Sequence, residues 1–157
     1  MKKLVKLLQA VLLAAATLAP NQVAAQATSV VATINGGGTA NMDDGEGISA
    51  FGMGVKLLSD GSANGHFECV DQFGDTFPGN FIGQVTSWSM NADGSVSFSG
   101  TGKVINIPGG PFASDLSFTV TLQQFGGAGV GHWTLDVPDL GGIICLETLI
   151  SGHIVMR

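Results

Sequence analysis

Positive charge is scarce in this sequence, cysteine occurs only twice, and no long apolar run follows the N-terminal segment. Three of the six basic residues, Lys2, Lys3 and Lys6, stand at the N-terminus, whereas all twelve carboxylates lie beyond residue 27. Because clustered lysine and arginine drive binding to nucleic acid and to anionic membranes, neither is an expected partner. Without a further apolar run of about 20 residues, the chain is not expected to span a membrane after that point.

The N-terminus has the pattern of a secretory signal peptide. Met1–Lys3 is basic, Leu7–Ala19 is apolar, and an Ala-Gln-Ala exit ends at Ala27. We therefore predict a helical signal peptide over 1–27 that is cleaved after Ala27, because the apolar run is shorter than the roughly 20 residues that a membrane anchor needs. The remaining chain, 28–157, keeps three basic residues against twelve acidic ones, a net charge of −9. We expect an acidic, soluble domain that is secreted or periplasmic.

Glycine is abundant, and its distribution indicates a β-rich fold. All 24 glycines lie after residue 27, without the three-residue period of collagen. Glycine at this density disfavours helices and favours short strands joined by tight turns. Side chains alternate in Phe51–Leu58 and again in Ala63–Val70, and the Asp-Gly pair between these runs suits a hairpin turn. The two runs predict a β-hairpin around which the rest of the chain is arranged.

Further alternating runs follow at intervals of roughly 10 to 15 residues, with turn residues between them. The glycines after Ile34 predict a bend or bulge, 71–80 is the longest irregular stretch, and the last part of the chain divides into Ile143–Ile150 and Gly152–Arg157. We predict an all-β, single antiparallel domain of about eight or nine strands. An up-and-down barrel is favoured over a two-sheet sandwich, because consecutive hairpins suit meander order and closure removes the sheet edges.

The two cysteines, Cys69 and Cys145, both lie in the part of the chain that is expected to be exported. In an oxidising compartment an even count predicts a disulfide, and two cysteines allow one intramolecular pairing. The bond would tie the second strand of the hairpin to the C-terminal part and stabilise the fold by about 4 kcal/mol through loop-closure entropy. Two buried free thiols are the alternative.

Aromatic residues in the irregular stretch 71–80 are the candidates for ligand binding. Loops of this length commonly carry binding residues, and exposed aromatic rings stack on sugars or apolar ligands. Phe73 and Phe77 are therefore the predicted ligand-binding residues. Trp88 and Trp133 lie within predicted strands, so we expect them in the core.

Each of the three histidines follows a glycine and precedes an apolar residue; they are His66, His132 and His153. If their strands were neighbours with the same inward parity, three imidazoles could form an open zinc-type site. The simpler interpretation places each histidine on the polar face of a strand, because single, separated histidines lack the paired spacing of metal motifs.

Two carboxylates lie close to the cysteines in sequence. Strand parity places Glu147 on the same face as Cys145, whereas Glu68 faces away from Cys69. Joining the sulfurs would therefore separate the two carboxylates, which disfavours the facing acid and base of a glycosidase.

Four short motifs follow one another along the chain: Gly36–Thr39, Phe51–Leu57, Gly65–Phe67 and Phe118–Thr121. With their glycine-rich opening, F-G-x-x-x-K-L strand and Gly-His-aromatic strand, they resemble a widespread group of small secreted bacterial β-domains. The resemblance implies a secreted all-β domain, and it implies no activity or catalytic residues. Many members of the group carry a further histidine soon after the Gly-His strand, which the corresponding stretch Val70–Asp75 lacks.

No catalytic or cofactor signature accompanies these features, and the serine motif G-x-S-x-G is absent. We therefore expect a noncatalytic secreted or periplasmic β-domain that binds a ligand or a surface without a cofactor. The alternatives are a metal-assisted hydrolase that uses the three histidines and a structural module of the cell envelope. The sequence predicts neither the identity of the ligand nor the oligomeric state.

Overall fold

The structure is a computed structural model that describes residues 27–45, 47–73, 79–105 and 113–157, with only the backbone of Gln72 and Phe73. The predicted signal peptide lies outside the described residues except for Ala27. None of the helices in these ranges is long and apolar enough to cross a bilayer.

The described residues form nine β-strands and one short 3-10 turn. The strands are β1 (Val30–Met42), β2 (Ile48–Leu58), β3 (Ser62–Phe73), β4 (Asn80–Met90), β5 (Val96–Ile105), β6 (Ala113–Gln124), β7 (Gly126–Gly127), β8 (His132–Val137) and β9 (Gly142–Met156), and the 3-10 turn is Pro138–Leu140. The strands from β1 to β6 pair in chain order, β6 pairs with β8, β8 with β9, and β9 returns to β1. All of these pairs are antiparallel.

This order closes an eight-stranded up-and-down barrel, to which β7 adds a short extra strand along β9. The predicted all-β, single antiparallel domain is confirmed, and so is the preference for a barrel over a sandwich. Closure leaves the eight strands of the barrel without a free edge, which removes the risk of edge-to-edge association.

The predicted hairpin consists of β2 and β3, with Met53 opposite Phe67. Its turn contains Gly61 at φ 83°, and the Gly61 N–H donates to the Leu58 carbonyl at 3.1 Å. Asp60 precedes this glycine, so the predicted Asp-Gly pair forms the turn. Both residue types tolerate the backbone conformation that such a turn requires. We call the end of the barrel that contains this turn the hairpin end.

The bend or bulge predicted after Ile34 corresponds to a ladder irregularity just after the glycines, whereas the predicted division of the last part of the chain between Ile150 and Gly152 is wrong. β1 runs through Gly36–Gly38, and β9 runs through Gly152, with an irregularity in their ladder at Thr39 and Ala40. Gly152 has φ 82°, and a Cβ there would lie 2.0 Å from the Gly37 carbonyl oxygen. Glycine thus allows β1 and β9 to approach closely at the seam where the barrel closes. The irregular stretch is also shorter than predicted, because β3 continues to Phe73.

Aromatic side chains fill the middle of the barrel. The ring centroid of Phe67 lies 5.3 Å from that of Trp133 and 6.2 Å from that of Phe98. Phe81 and Phe118 meet edge to face at 5.1 Å. Trp133 is fully buried, which confirms its predicted place in the core.

Two strand glycines make room for these rings. A Cβ on Gly83 would lie 2.6 Å from the Phe118 ring, and one on Gly102 would lie 2.5 Å from the Phe81 ring. Real Cβ atoms do not approach so closely without displacement of the neighbour, so glycine at these positions lets large rings pack against the barrel wall.

The first and last described strands meet at the hairpin end. The Thr33 N–H donates to the Arg157 carbonyl at 2.7 Å, and the Arg157 N–H donates to the Thr33 carbonyl at 2.9 Å. The Ser59 N–H also donates to the Ser29 carbonyl at 2.9 Å. The start of β1 and the end of β9 therefore lie side by side.

Candidate functional site

Polar side chains inside the barrel gather at the end opposite the hairpin end. They are Ser49 near the start of β2, Cys69 and Asp71 near the end of β3, and Cys145 and Glu147 near the start of β9. We call this group of five residues the cysteine end. Among the side chains that the structure describes on these three strands, the other inward-facing residues are apolar or glycine. The cysteine end is thus a polar region within an otherwise apolar interior.

The two cysteines approach each other from different walls of the barrel. Cys69 lies opposite Phe51 in the β2–β3 ladder, and Cys145 lies opposite Leu135 in the β8–β9 ladder. Both side chains are buried, and the sulfurs are 3.9 Å apart as thiols. A disulfide would need about 2.05 Å, so the predicted bond is not formed in this structure. The fold brings the two predicted partners together, and the covalent bond stays a prediction.

Glu147 is fully buried beside the thiols, on the inward face that it shares with Cys145. The Ser49 hydroxyl, which is also buried, donates a hydrogen bond to Glu147 Oε2. A hydroxyl that donates to a carboxylate makes a strong, charge-assisted bond and fixes the orientation of the acceptor. Glu68 is exposed on the outer face, so the predicted separation of the two carboxylates is confirmed.

A cavity of about 20 Å³ lies among these residues, enough for one water-sized atom. The polar part of its lining is Ser49, Cys69, Asp71, Cys145 and Glu147, and the rest is Met42, Gly79, Phe81, Leu135 and Ile144. The cavity is thus surrounded by two thiols and two carboxylates. These groups could bind a cation, because thiolate and carboxylate are common metal ligands.

Three of these residues are placed for a shared ion. One ligand atom from each of Cys69, Cys145 and Glu147 lies within 4.8 Å of the other two. In the ranges that the structure describes, this is the one group of at least three histidine, cysteine, aspartate or glutamate side chains that converges in this way. It contains no histidine, so the metal-type cluster differs from the one considered from the sequence.

The three histidines lie on separate strands and do not converge. His66 is exposed on β3, which β2 and β1 separate from β9, where His153 is exposed. His132 is half-buried at the start of β8, and its Nε2 lies 2.9 Å from Asp43 Oδ2. The arrangement therefore gives no support to a three-histidine site.

Asp43 connects the end of β1 to the outer faces of β8 and β9. Its Oδ2 bonds to His132, its Oδ1 accepts a hydrogen bond from the Thr148 hydroxyl at 2.9 Å, and its N–H donates to the Leu146 carbonyl at 2.9 Å. Partial burial raises the pKa of Asp43, but the bonds to His132 and Thr148 and the charge of His132 lower it by more, so the pKa lies below its ordinary value. This contact tethers the β1–β2 connection to the barrel wall.

The predicted aromatic residues border the described part of the chain. Phe73 is the last residue of β3, and Phe77 lies outside the described residues. Ligand binding by Phe73 and Phe77 therefore stays a prediction. Trp88, expected in the core, is half-buried and donates its indole N–H to the Leu58 carbonyl at 2.9 Å, at the hairpin end.

Three members of the cysteine end were not predicted from the sequence: Ser49, Asp71, and Glu147 as a ligand. Each lies at an inward position of its strand, where the neighbouring alternate residues are large and apolar or cysteine. A polar residue at an inward position is the signal that could have found them, because buried polar groups need partners and tend to occur together. To find these residues from the sequence, the alternation of inward and outward side chains has to be extended to the last residue of each strand.

No protein-family model, no curated protein and no solved structure matches this chain. The resemblance to small secreted bacterial β-domains therefore rests on its short motifs and stays a prediction. The function has to be inferred from the residues of this chain.

Proposed function

We propose that this protein is an exported, noncatalytic β-barrel domain that binds a ligand or a surface through its cysteine end. The observation that carries the proposal is the concentration of buried polar side chains and a small cavity at that end. Apolar side chains form the core of the barrel, and the mouths of β-barrels are a common place for ligand sites.

The described residues that flank the predicted aromatic stretch lie at the same end, which supports a place for Phe73 and Phe77 in the site. Asp71 and Gly79 both line the cavity, and the Asp71 N–H donates to the Gly79 carbonyl at 3.3 Å. The connection that carries Phe73 and Phe77 therefore leaves and rejoins the described chain beside the cavity. Aromatic rings next to a few buried polar groups are a common composition for a ligand site.

Charge narrows the class of ligand. The exported part carries three basic residues against twelve acidic ones, and two carboxylates lie at the cavity. Anionic ligands would be repelled by this field, so the ligand is a neutral or cationic molecule or surface. A hydrolase is not proposed, because Glu147 and Glu68 lie on opposite faces of the wall and the histidines do not converge.

In the exported protein, oxidation of the two thiols forms the predicted Cys69–Cys145 disulfide. Proximity of the two thiols supports this assignment, since both side chains are buried and their sulfurs are 3.9 Å apart. The bond would cross the barrel at the cysteine end.

Ligand binding is tested by a thermal-shift screen of the chain 28–157 against neutral and cationic saccharides, peptides and polyamines, with calorimetry on each hit. We expect the double variant Phe73→Ala/Phe77→Ala to lose the ligand-dependent shift. Phe125→Ala, an aromatic truncation at the hairpin end, is the matched control and keeps it. Equal binding by the double variant would remove these residues from the site, and a screen without any hit would favour a structural envelope module.

Export is tested separately by fractionating cells that express the full chain. The expected product lies outside the cytoplasm and has an intact mass that begins at Thr28. A full-length protein retained in the cytoplasm would contradict the export part of the proposal.

A further inference from the structure

We propose that the thiol form of this protein binds one zinc-type metal ion at the cysteine end, through Cys69, Cys145 and Glu147. The ligand atoms of these residues lie within 4.8 Å of one another, and all three side chains are buried. The inference goes beyond the binding function proposed above and does not depend on export or on the aromatic residues.

The distance between the sulfurs fits a shared tetrahedral ion. With zinc–sulfur bonds of about 2.3 Å and a tetrahedral angle, two thiolates on one ion lie about 3.8 Å apart. The observed separation is 3.9 Å. An ion between the two sulfurs would therefore require almost no change in their positions, and small rotations would bring in the carboxylate of Glu147.

The donor set selects the type of metal. Two thiolates favour soft or borderline ions such as Zn²⁺ and Cu⁺, whereas Mg²⁺ and Ca²⁺ prefer sites made only of oxygen ligands. Burial of negatively charged thiolates and a carboxylate costs free energy unless a positive charge compensates them. The metal ion would supply that charge. A mixed site of two sulfurs and one carboxylate oxygen therefore points to zinc in preference to the alkaline-earth ions.

Neighbouring residues provide the remaining features of such a site. The Ser49 hydroxyl donates to Glu147 Oε2 and orients the carboxylate, as partners behind metal ligands commonly do. Asp71 lines the same cavity, which has room for one water-sized atom. The fourth position of a tetrahedral ion is thus open to a water molecule.

The ion and the disulfide exclude each other, because both use the same two sulfurs. The oxidised protein therefore serves as an internal control for the metal site. Its fold can be compared with that of the thiol form by circular dichroism, so loss of binding can be separated from loss of structure.

The experiment uses the chain 28–157, reduced with a phosphine that does not bind metal, loaded with Zn²⁺ and desalted. We expect one zinc per chain by elemental analysis, and loading with Co²⁺ should give the thiolate charge-transfer and visible bands of a tetrahedral site. Cys69→Ser, Cys145→Ser and Glu147→Gln should lose stoichiometric zinc, and Ser49→Ala should weaken zinc affinity by about 10–100-fold. Glu68→Gln changes an exposed carboxylate beside Cys69 and is the matched control that keeps the ion.

Several results would overturn the proposal. They are a folded thiol form without zinc, a cobalt spectrum without thiolate bands, or cysteine variants that hold zinc as well as the wild type does. If a cysteine variant does not fold, the oxidised wild type takes its place, and zinc binding to that form would likewise contradict the site. Ligand binding through Phe73 and Phe77 is measured in the thermal-shift screen, so the two proposals fail independently.

Discussion

A single aspartate links three strands on the outside of the barrel, and its ionisation should affect stability. Asp43 is 35% exposed and bonds to His132 and Thr148. Its pKa is lowered in the folded protein, where burial raises it but the two bonds and the charge of His132 lower it by more. A carboxyl with a depressed folded pKa stabilises the fold above its unfolded pKa of about 3.9, and this contribution is lost as the pH falls through the folded value.

We therefore expect Asp43→Asn to lower the free energy of unfolding by about 1 kcal/mol near neutral pH, a value reduced by the partial exposure of the site. The difference from the wild type should shrink as the pH falls from about 4 through the lowered folded pKa, because the carboxyl of the wild type is protonated first in the unfolded and then in the folded protein. Urea unfolding at a series of pH values measures both effects. Asp139→Asn, at an exposed position, is the control. If the loss of unfolding free energy in Asp43→Asn did not depend on pH, the stabilising role of the ionised Asp43 carboxylate would be contradicted.

At the scale of the strand, the closing seam between β1 and β9 requires glycine at Gly38 and at Gly152, where an added Cβ would lie 2.1 Å and 2.0 Å from the backbone of the opposite strand. Gly152→Ala would place a Cβ 2.0 Å from the Gly37 carbonyl oxygen, at a φ of 82° that L-residues with side chains rarely adopt. We expect a loss of more than about 2 kcal/mol in the free energy of unfolding. Urea unfolding measures it, and hydrogen exchange should show reduced protection along β1 and β9.

The matched control for the seam is Gly127→Ala in β7, where the nearest atom to an added Cβ is the Gly152 carbonyl oxygen at 3.6 Å. That is ordinary van der Waals contact, so the control should unfold nearly as the wild type does. Similar losses in both variants would mean that an added side chain is tolerated equally at Gly127 in β7 and at Gly152 in β9, and the seam would then have no special requirement for glycine at Gly152.

The strands also show which structural features can be predicted from a sequence pattern. β2 and β3 were predictable because alternation and the Asp-Gly turn are local signals. The sequence pattern predicts a bend or bulge in β1 and a division of β9, but it does not predict that the glycines mark places where these two distant strands approach. The close contact between Gly152 and Gly37 depends on barrel closure, which no local pattern contains. For the same reason, Ser49 and Glu147 could be given inward parity from the sequence but not a shared site.

For the molecule as a whole, oxidation of the cysteine pair should change stability more than any surface contact. A Cys69–Cys145 disulfide closes a long loop, so the oxidised chain should be more stable than the reduced chain by about 2–4 kcal/mol. Guanidinium unfolding with a chelator present, with and without reductant, measures the difference. Cys69→Ser/Cys145→Ser is the control in which reductant should have no effect. Equal unfolding midpoints of wild-type forms whose masses differ by two hydrogens would contradict this expectation.

The paired start of β1 and end of β9 determine how the molecule responds to mechanical force. Thr33 and Arg157 exchange two backbone hydrogen bonds at the hairpin end, and the ladder continues from there towards the cysteine end. Force applied between the N-terminal side of β1 and the C-terminal side of β9 would act on one pair of these bonds after another, which is the unzipping geometry. Pulling between the first residues of β1 and of β9, which lie at opposite ends of the barrel, would load the whole ladder at once in shear. The same barrel is therefore mechanically weak in the first direction and resistant in the second.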